Sequence, residues 1–490
     1  MSILVTEEDA VTFKFFDRRQ CEKEESFGWS YPELKAQGFP CKAFVGPLFR
    51  LPYNLKETTI KIPVTVVHAH VIPGGGLLLC FYIHHSVTDG QGIHNFISTF
   101  ADFTLRNETG VENGVAENSV VKKKRVRYRV AKNLVSKKSF VKNDGPHPAY
   151  LSLLEDVVAS GVANGAENHQ ARSEYPTDID VDIPNYHTAA LLEKFSFQEL
   201  MEQCPEYTLL SKPTGPTMPY NRPERDPPLR DVTKTGRIFK FSPEKIGALR
   251  AMAQNWTDSR VSTFACLAGL TWSFCTAARV DRYIENERGV AGETSLLVPV
   301  AWTRRAFRNE LPGYAGNGVC MARTCADMDT HLAIANGKPS ATASVSAATK
   351  EEQLGRLMCS IDTAITAIDD GFVATRTAMF RAAKDARLIG LNLDSRSPRD
   401  FIVNSWRLFG AEDVFWFPGL KAEGESSSRG RTADAVRRSQ PIWGMEAGLV
   451  LPGKRDSDYE ILVTLDEASM MRLLANEEWN KWVGDAETIE

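Results

Sequence analysis

The sequence has no Cys-x-x-Cys pair, no apolar run of membrane-spanning length and no marked excess of either charge. Each absence removes a class of function. Its nine cysteines are scattered and odd in number, which argues against a disulfide framework and against a thiolate zinc site. A reducing, cytoplasmic setting is the simplest reading, and the close pair Cys320 and Cys325 reads as packing. Lysine and arginine total 58 against 62 aspartates and glutamates, a net charge of −4, so nothing overall points to a nucleic-acid or membrane partner. The opening MSILVTEEDAVTFKFF is acidic at Glu7, Glu8 and Asp9, where a secretory leader is basic. The longest clear apolar run, Leu77 to Ile83, suits a buried strand. There is no internal repeat of solenoid or propeller period.

What is present is ordinary for a globular chain: 43% hydrophobic and 24% charged residues over 490 positions, enough for two domains with separate cores. Residues 60–83 read as two strands, KIPVTVVHAHVI and LLLCFYI, joined by a Pro-Gly-Gly-Gly turn at 73–76. After Gly90 and Gly92 comes a helix with Ile93, Phe96, Ile97, Phe100 and Phe103 at helical spacing, all read as core. RIFKFSPEKIGALRAMAQ is a strand followed by a helix capped by Ser242 with Pro243 at its first position. The next helix, Ser262 to Arg279, is apolar on most faces and is expected to be buried. The end repeats the pattern with strand 459–465 and helix 466–479. Strands mixed with helices in both halves indicate an α/β protein.

Between about 107 and 185 the character changes to polar, Gly/Asn-rich and basic stretches, which read as a surface insertion. The run Lys122 to Arg129 within it reads as a solvated charge cluster. Six prolines between 213 and 228 suit a stiff, extended crossover. The expected organisation is a first domain over 1–210, a crossover over 211–235 and a second domain over 236–490.

One string is strongly chemical: His84-His85-Ser86-Val87-Thr88-Asp89-Gly90. An apolar strand delivers two adjacent histidines whose side chains point to opposite faces. One can face a cavity while the other packs. Gly90 allows a positive φ or a close backbone approach, and Asp89 can bond within the loop or pair with an arginine. A positioned neutral imidazole is suited to removing an alcohol proton near pH 7. A core histidine bonded to backbone is the alternative that this string leaves open. His68 and His70 share a strand face but have no third ligand at metal spacing, so they read as structural.

Taken with four further segments, His85-x3-Asp89-Gly90 resembles the BAHD acyltransferases, and especially their fungal trichothecene 3-O-acetyltransferase-like branch. VSTFACLAGLTWSFCTAAR (261–279) looks like the family's STF-x-AL-A-x-x-W helix through Ser262, Thr263, Phe264, Leu267 and Trp272. ELPGYAGNGV (310–319) is similar to its LP-x-GY-x-GN segment, FIVNSWRLF (401–409) to its SSW strand, and GLVLP (448–452) with YEILVTL to its terminal segment. These stand in family order from about 40 to 482.

The resemblance implies two chloramphenicol-acetyltransferase-like domains with a solvent channel between them. It implies acyl-CoA, acetyl-CoA by default, as co-substrate, and a small-molecule alcohol of secondary metabolism as acceptor. No metal or permanently bound cofactor is implied, and a cytoplasmic monomer is expected. His85 is the implied general base, with Asp89 and Gly90 bracing its loop. Ser262, Thr263, Asn404, Ser405 and Trp406 are candidate contacts to CoA. The oxyanion donor is either a backbone N–H near Gly90 or a side chain of the Asn404–Trp406 strand.

Three departures qualify the resemblance. The family's D-F-G-W-G motif is not intact in EDVFWFPG (412–419): in one register Asp413 is its aspartate, and in the other, preferred here, Phe415 replaces it and Pro418-Gly419 align with the trailing PG. In VPVAWTRR (298–305), Ala301 and Thr303 stand where the family has an aspartate and an arginine. Loss of both ends of a buried ion pair together is physically sensible, since one survivor is a costly buried charge. Finally, the motif lies nearer the amino end than in relatives, so a missing preceding segment is expected, with residues 3–16 as the alternative source of a replacement strand. A catalytically degenerate binder and a condensation-type amide-forming enzyme, which shares the double histidine, are the competing readings.

Overall fold

The computed structural model describes residues 11–19, 27–49, 63–85, 87–108, 183–210, 233–280, 292–307, 317–336, 349–394, 397–417, 430–439 and 445–483. Nearly all of the expected insertion, the proline-rich stretch to 232, and Tyr314 lie outside the described residues.

The first sheet has three strands. β1 (Thr12–Asp17) runs parallel to β2 (Thr65–Val71), which pairs antiparallel with β3 (Leu77–Ile83). The β2–β3 turn uses Gly74 at φ +80° and Gly75 at φ +88°, a conformation that side chains with a Cβ rarely adopt. One face carries His68 and His70 beneath an apolar cluster of Phe27, Leu34, Phe49 and Ile72. On β3, Phe81 sets its ring edge-on to Phe96 and Phe100. These belong to the helix that follows the double histidine, Gly90–Glu108, here α2 because a short helix, α1 (Tyr31–Ala36), precedes it.

The core reading of α2 fails at Phe103, which is 58% exposed. The buried centre of the helix is Ile97 and Ala101, and a turn of about 100° per residue carries Phe103 well round from it.

The second sheet has six strands in the order β5 (Lys234–Phe241), β11 (Tyr459–Asp466), β10 (Ala447–Val450), β9 (Asp400–Ser405), β6 (Glu293–Ala301) and β7 (Val319–Asp327). β9 is parallel to both neighbours and the outer pairs are antiparallel. A central strand is buried on both faces here, and Phe401, Ile402 and Val403 on β9 are all buried. The Ser242 cap stands where the sequence places it, and a second serine caps the next helix. Ser242 Oγ accepts from Lys245 N at 3.3 Å, opening α5 (Pro243–Gln254), and Ser262 Oγ accepts from Ala265 N at 3.2 Å, opening α6 (Thr263–Arg279). As expected, α6 is buried almost all round, with Trp272 fully enclosed. The expected helix 466–479 is broken: it ends at Leu474, and Asn476 Oδ1 accepts from Trp479 N at 2.9 Å to start a separate turn.

Between the two sheets in sequence lie α3 (Ile183–Lys194), α4 (Phe197–Glu202) and β4 (Tyr207–Leu209). The sequence reading put them with the first half. They pack on Ala378, Met379 and Ile389, and β4 pairs with β8 (Ile389–Leu391), all from the second half. The α/β class is borne out, and no described helix is long and apolar enough to cross a membrane.

Candidate active site

The double histidine sits where β3 gives way to α2. His84 N–H donates to Val64 O at 2.9 Å, and Val87 N–H to His84 O at 2.9 Å, so the chain turns directly after the strand. Asp89 then heads the helix: its Oδ1 accepts from Gly92 N at 3.0 Å, the bond a carboxylate makes at a helix N-cap. Its Oδ2 accepts from Gly318 N at 2.9 Å, across from the other half of the chain. Asp89 is buried, so its charge is met by two backbone donors and the positive end of α2. Of the two roles the sequence left open for this carboxylate, the structure supplies the loop bond and adds a tie to Gly318.

His85 is exposed at the head of this turn. Its backbone carbonyl accepts from Asn317 Nδ2 at 3.1 Å. His84 is half-buried, and burial together with the neighbouring His85 lowers its pKa, which keeps it neutral.

Gly90 is required by close approach and not by a positive φ, since it is already helical. A Cβ there would lie 2.6 Å from the Phe409 ring. Phe409 stacks on Trp406 at 6.0 Å and on His94 at 5.9 Å. One turn further along α2, Ser98 Oγ donates to Asp413 Oδ2 at 2.9 Å. Burial lowers the pKa of His94, Asp413 opposes that shift and Arg304 adds to it. The head of α2 is therefore held at four points: Asp89 by Gly318, Gly90 and His94 by Phe409, and Ser98 by Asp413.

The other predicted site residues divide. Trp406 reaches the 85–90 loop through Phe409. Asn404 Oδ1 accepts from Ser405 N at 2.7 Å, and Ser405 Oγ accepts from Arg407 N at 3.3 Å, so both also shape the end of β9. Ser262 is not brought to the loop: besides capping α6, its hydroxyl donates to Asp362 Oδ1 at 2.6 Å. Thr263 is the first residue of that helix.

Sequence reasoning quoted Asn317 within a motif but gave it no role, and it missed Gly318, Phe409 and Ser98. Only Asn317 carried a signal that could have found it.

His68 and His70 form no metal site among the described residues. Phe16 packs on both rings, at 5.3 and 4.7 Å.

No family model matches the chain. Over 476 residues it is 23% identical to the trichothecene 8-O-acetyltransferase of Fusarium sporotrichioides, covering 93% of this chain and 79% of that protein. F. graminearum TRI101, solved with coenzyme A and deoxynivalenol, superposes with a TM-score of 0.54 at 16% identity, covering 97% of this chain and 82% of that one. F. sporotrichioides TRI101, solved with coenzyme A and T-2, gives 0.52 at 15% identity, covering 96% and 81%. The chain shares the fold of TRI101. The resemblance read from the ordered motifs agrees with these comparisons.

Proposed function

We propose that this chain is a CoA-dependent O-acyltransferase that moves an acyl group, acetyl by default, onto a hydroxyl of a small secondary metabolite. His85 is its general base. The observation that carries this reading is the double tie of the histidine loop: His85 O to Asn317 and Asp89 to Gly318. A solvent-accessible imidazole is thereby held on a fixed turn where the two halves of the chain meet.

In this reading the acceptor hydroxyl gives its proton to His85 as its oxygen attacks the thioester carbonyl carbon. The tetrahedral intermediate collapses with cleavage of the carbon–sulfur bond, and His85 returns the proton to the departing CoA sulfur. The developing oxyanion needs a preorganised donor. The candidates are the Asn404 amide, whose oxygen alone is taken by Ser405 N, and backbone N–H groups at the head of α2. The chemistry uses acyl-CoA as co-substrate and no permanently bound group. A monomer in the cytoplasm is the setting we propose.

The kinship to proteins named for trichothecene acetylation, or solved with deoxynivalenol and T-2, makes these two compounds the first acceptors to try. The purified chain is incubated with acetyl-CoA and each acceptor, and free thiol and acetylated product are measured together. Thiol release that tracks product supports the reading. CoA binding without thiol release, for these acceptors and for extracts of cells lacking the protein, establishes the degenerate binder instead.

A further inference from the structure

We propose that Asn317 is a positioning residue for His85, fixing the imidazole through the backbone carbonyl of His85 itself. This rests on the reading of His85 as the base. A carbonyl only accepts, so the Asn317 amide presents Nδ2 to it, at 3.1 Å. The adjacent Gly318 N–H binds Asp89 Oδ2 at 2.9 Å. Consecutive residues before β7 therefore grip the loop at both ends, once at the histidine and once at the aspartate.

The two grips differ in kind. The Asp89 end is buried and shares its carboxylate with Gly92, so it holds the loop to the fold. The His85 end is exposed, and its peptide lies beyond the last pair of the β2–β3 ladder, Thr65 with Ile83. Removing the Asn317 amide leaves the Asp89 anchor in place and frees the His85 peptide to rotate. Asn317 thus governs where the base stands rather than whether the loop folds, and it makes that position depend on contact with the second half.

The test compares the parent with Asn317→Ala, His85→Ala and the double variant in the full chain. Asn317→Ala is expected to lower kcat by about tenfold to a hundredfold, the scale of an ångström-sized misplacement, with the KM for acetyl-CoA nearly unchanged. In the His85→Ala background the same change should cost nothing more, because the residue acts only through His85. A further loss in the double variant means a direct contact to substrate or a general structural role, and overturns the proposal.

A second arm needs no turnover. Carbethoxylation by diethyl pyrocarbonate, followed histidine by histidine by mass spectrometry, should speed up several-fold at His85 in Asn317→Ala and stay constant at His94. An unchanged rate at His85 also overturns the proposal. If the parent shows no turnover, the transferase reading falls and the modification arm alone decides the role of Asn317.

Discussion

Asp89 Oδ2 accepts the N–H of Gly318 at 2.9 Å, joining the head of α2 to the head of β7. Its other oxygen accepts from Gly92 N at 3.0 Å. One buried carboxylate thus closes the helix and ties it to a strand far away in sequence. Asp89→Asn leaves one acceptor oxygen for two N–H groups and turns an NH2 toward the other. The expected cost is about 1–3 kcal/mol, the range for an unsatisfied buried donor. Thermal melting should fall and activity should fall with it, at an unchanged pH–rate profile. Full stability with a displaced pH profile would instead give Asp89 a triad-type role.

Gly90 and Phe409 provide a second test. In an open helix, Gly→Ala is stabilising by about 1 kcal/mol. At Gly90 the new Cβ meets the Phe409 ring at 2.6 Å, and overpacking costs about 1–3 kcal/mol, so the steric effect should win. Gly90→Ala should melt lower than the parent, and Phe409→Leu in the same chain should recover part of the loss. A Gly90→Ala protein that melts higher than the parent would refute the close approach.

The two adjacent histidines should separate cleanly. His85→Ala is expected to fold normally and lose about 10² to 10⁴ in turnover, the usual range for a positioned base. His84 is half-buried and kept neutral by burial, so His84→Ala should lose far less. Steady-state kinetics on both, with melting curves as control, settles the assignment. Equal losses would remove it.

Stability should depend on pH through His70. Burial, with Arg18 and His68 adding to it, pushes the His70 pKa down from 6.5 to about 4. The unfolded chain therefore binds the extra proton between those values and the folded chain does not. Stability contributed by neutral His70 is complete above about pH 6.5 and is lost progressively as pH falls toward about 4. His331, held down to about 3 by burial, titrates in the same sense. His70→Phe preserves ring stacking with Phe16 and should flatten, without abolishing, the fall in melting temperature from pH 6.5 to 4. An identical slope in parent and variant would rule out His70 as a contributor.

Much of this was readable from local sequence, because it is decided by near neighbours. The hairpin at 73–76, the serine cap at 242 and the buried helix to Arg279 follow from turn chemistry, capping and apolar pattern. The strand–turn–helix around His85 is local in the same way: the Asp89 cap spans only 89 to 92. The ordered motifs likewise pointed to the fold that the structural comparisons bear out. Where local reading failed, a competing local signal or a missing neighbour was responsible. Asn476 was able to restart a helix, and Phe103 had the right spacing but the wrong side of α2.

The site itself is different. His85 O meets Asn317 across 232 positions of sequence, and Asp89 meets Gly318 across 229. Phe409 covers Gly90 from the turn that follows β9. Sequence singled out the candidate residues and the turn that presents them. Only the tertiary structure decided what holds that turn, because the backbone N–H and C=O groups that enter these bonds carry no side-chain signature in the sequence. Which of them become partners depends on the packing of the two halves.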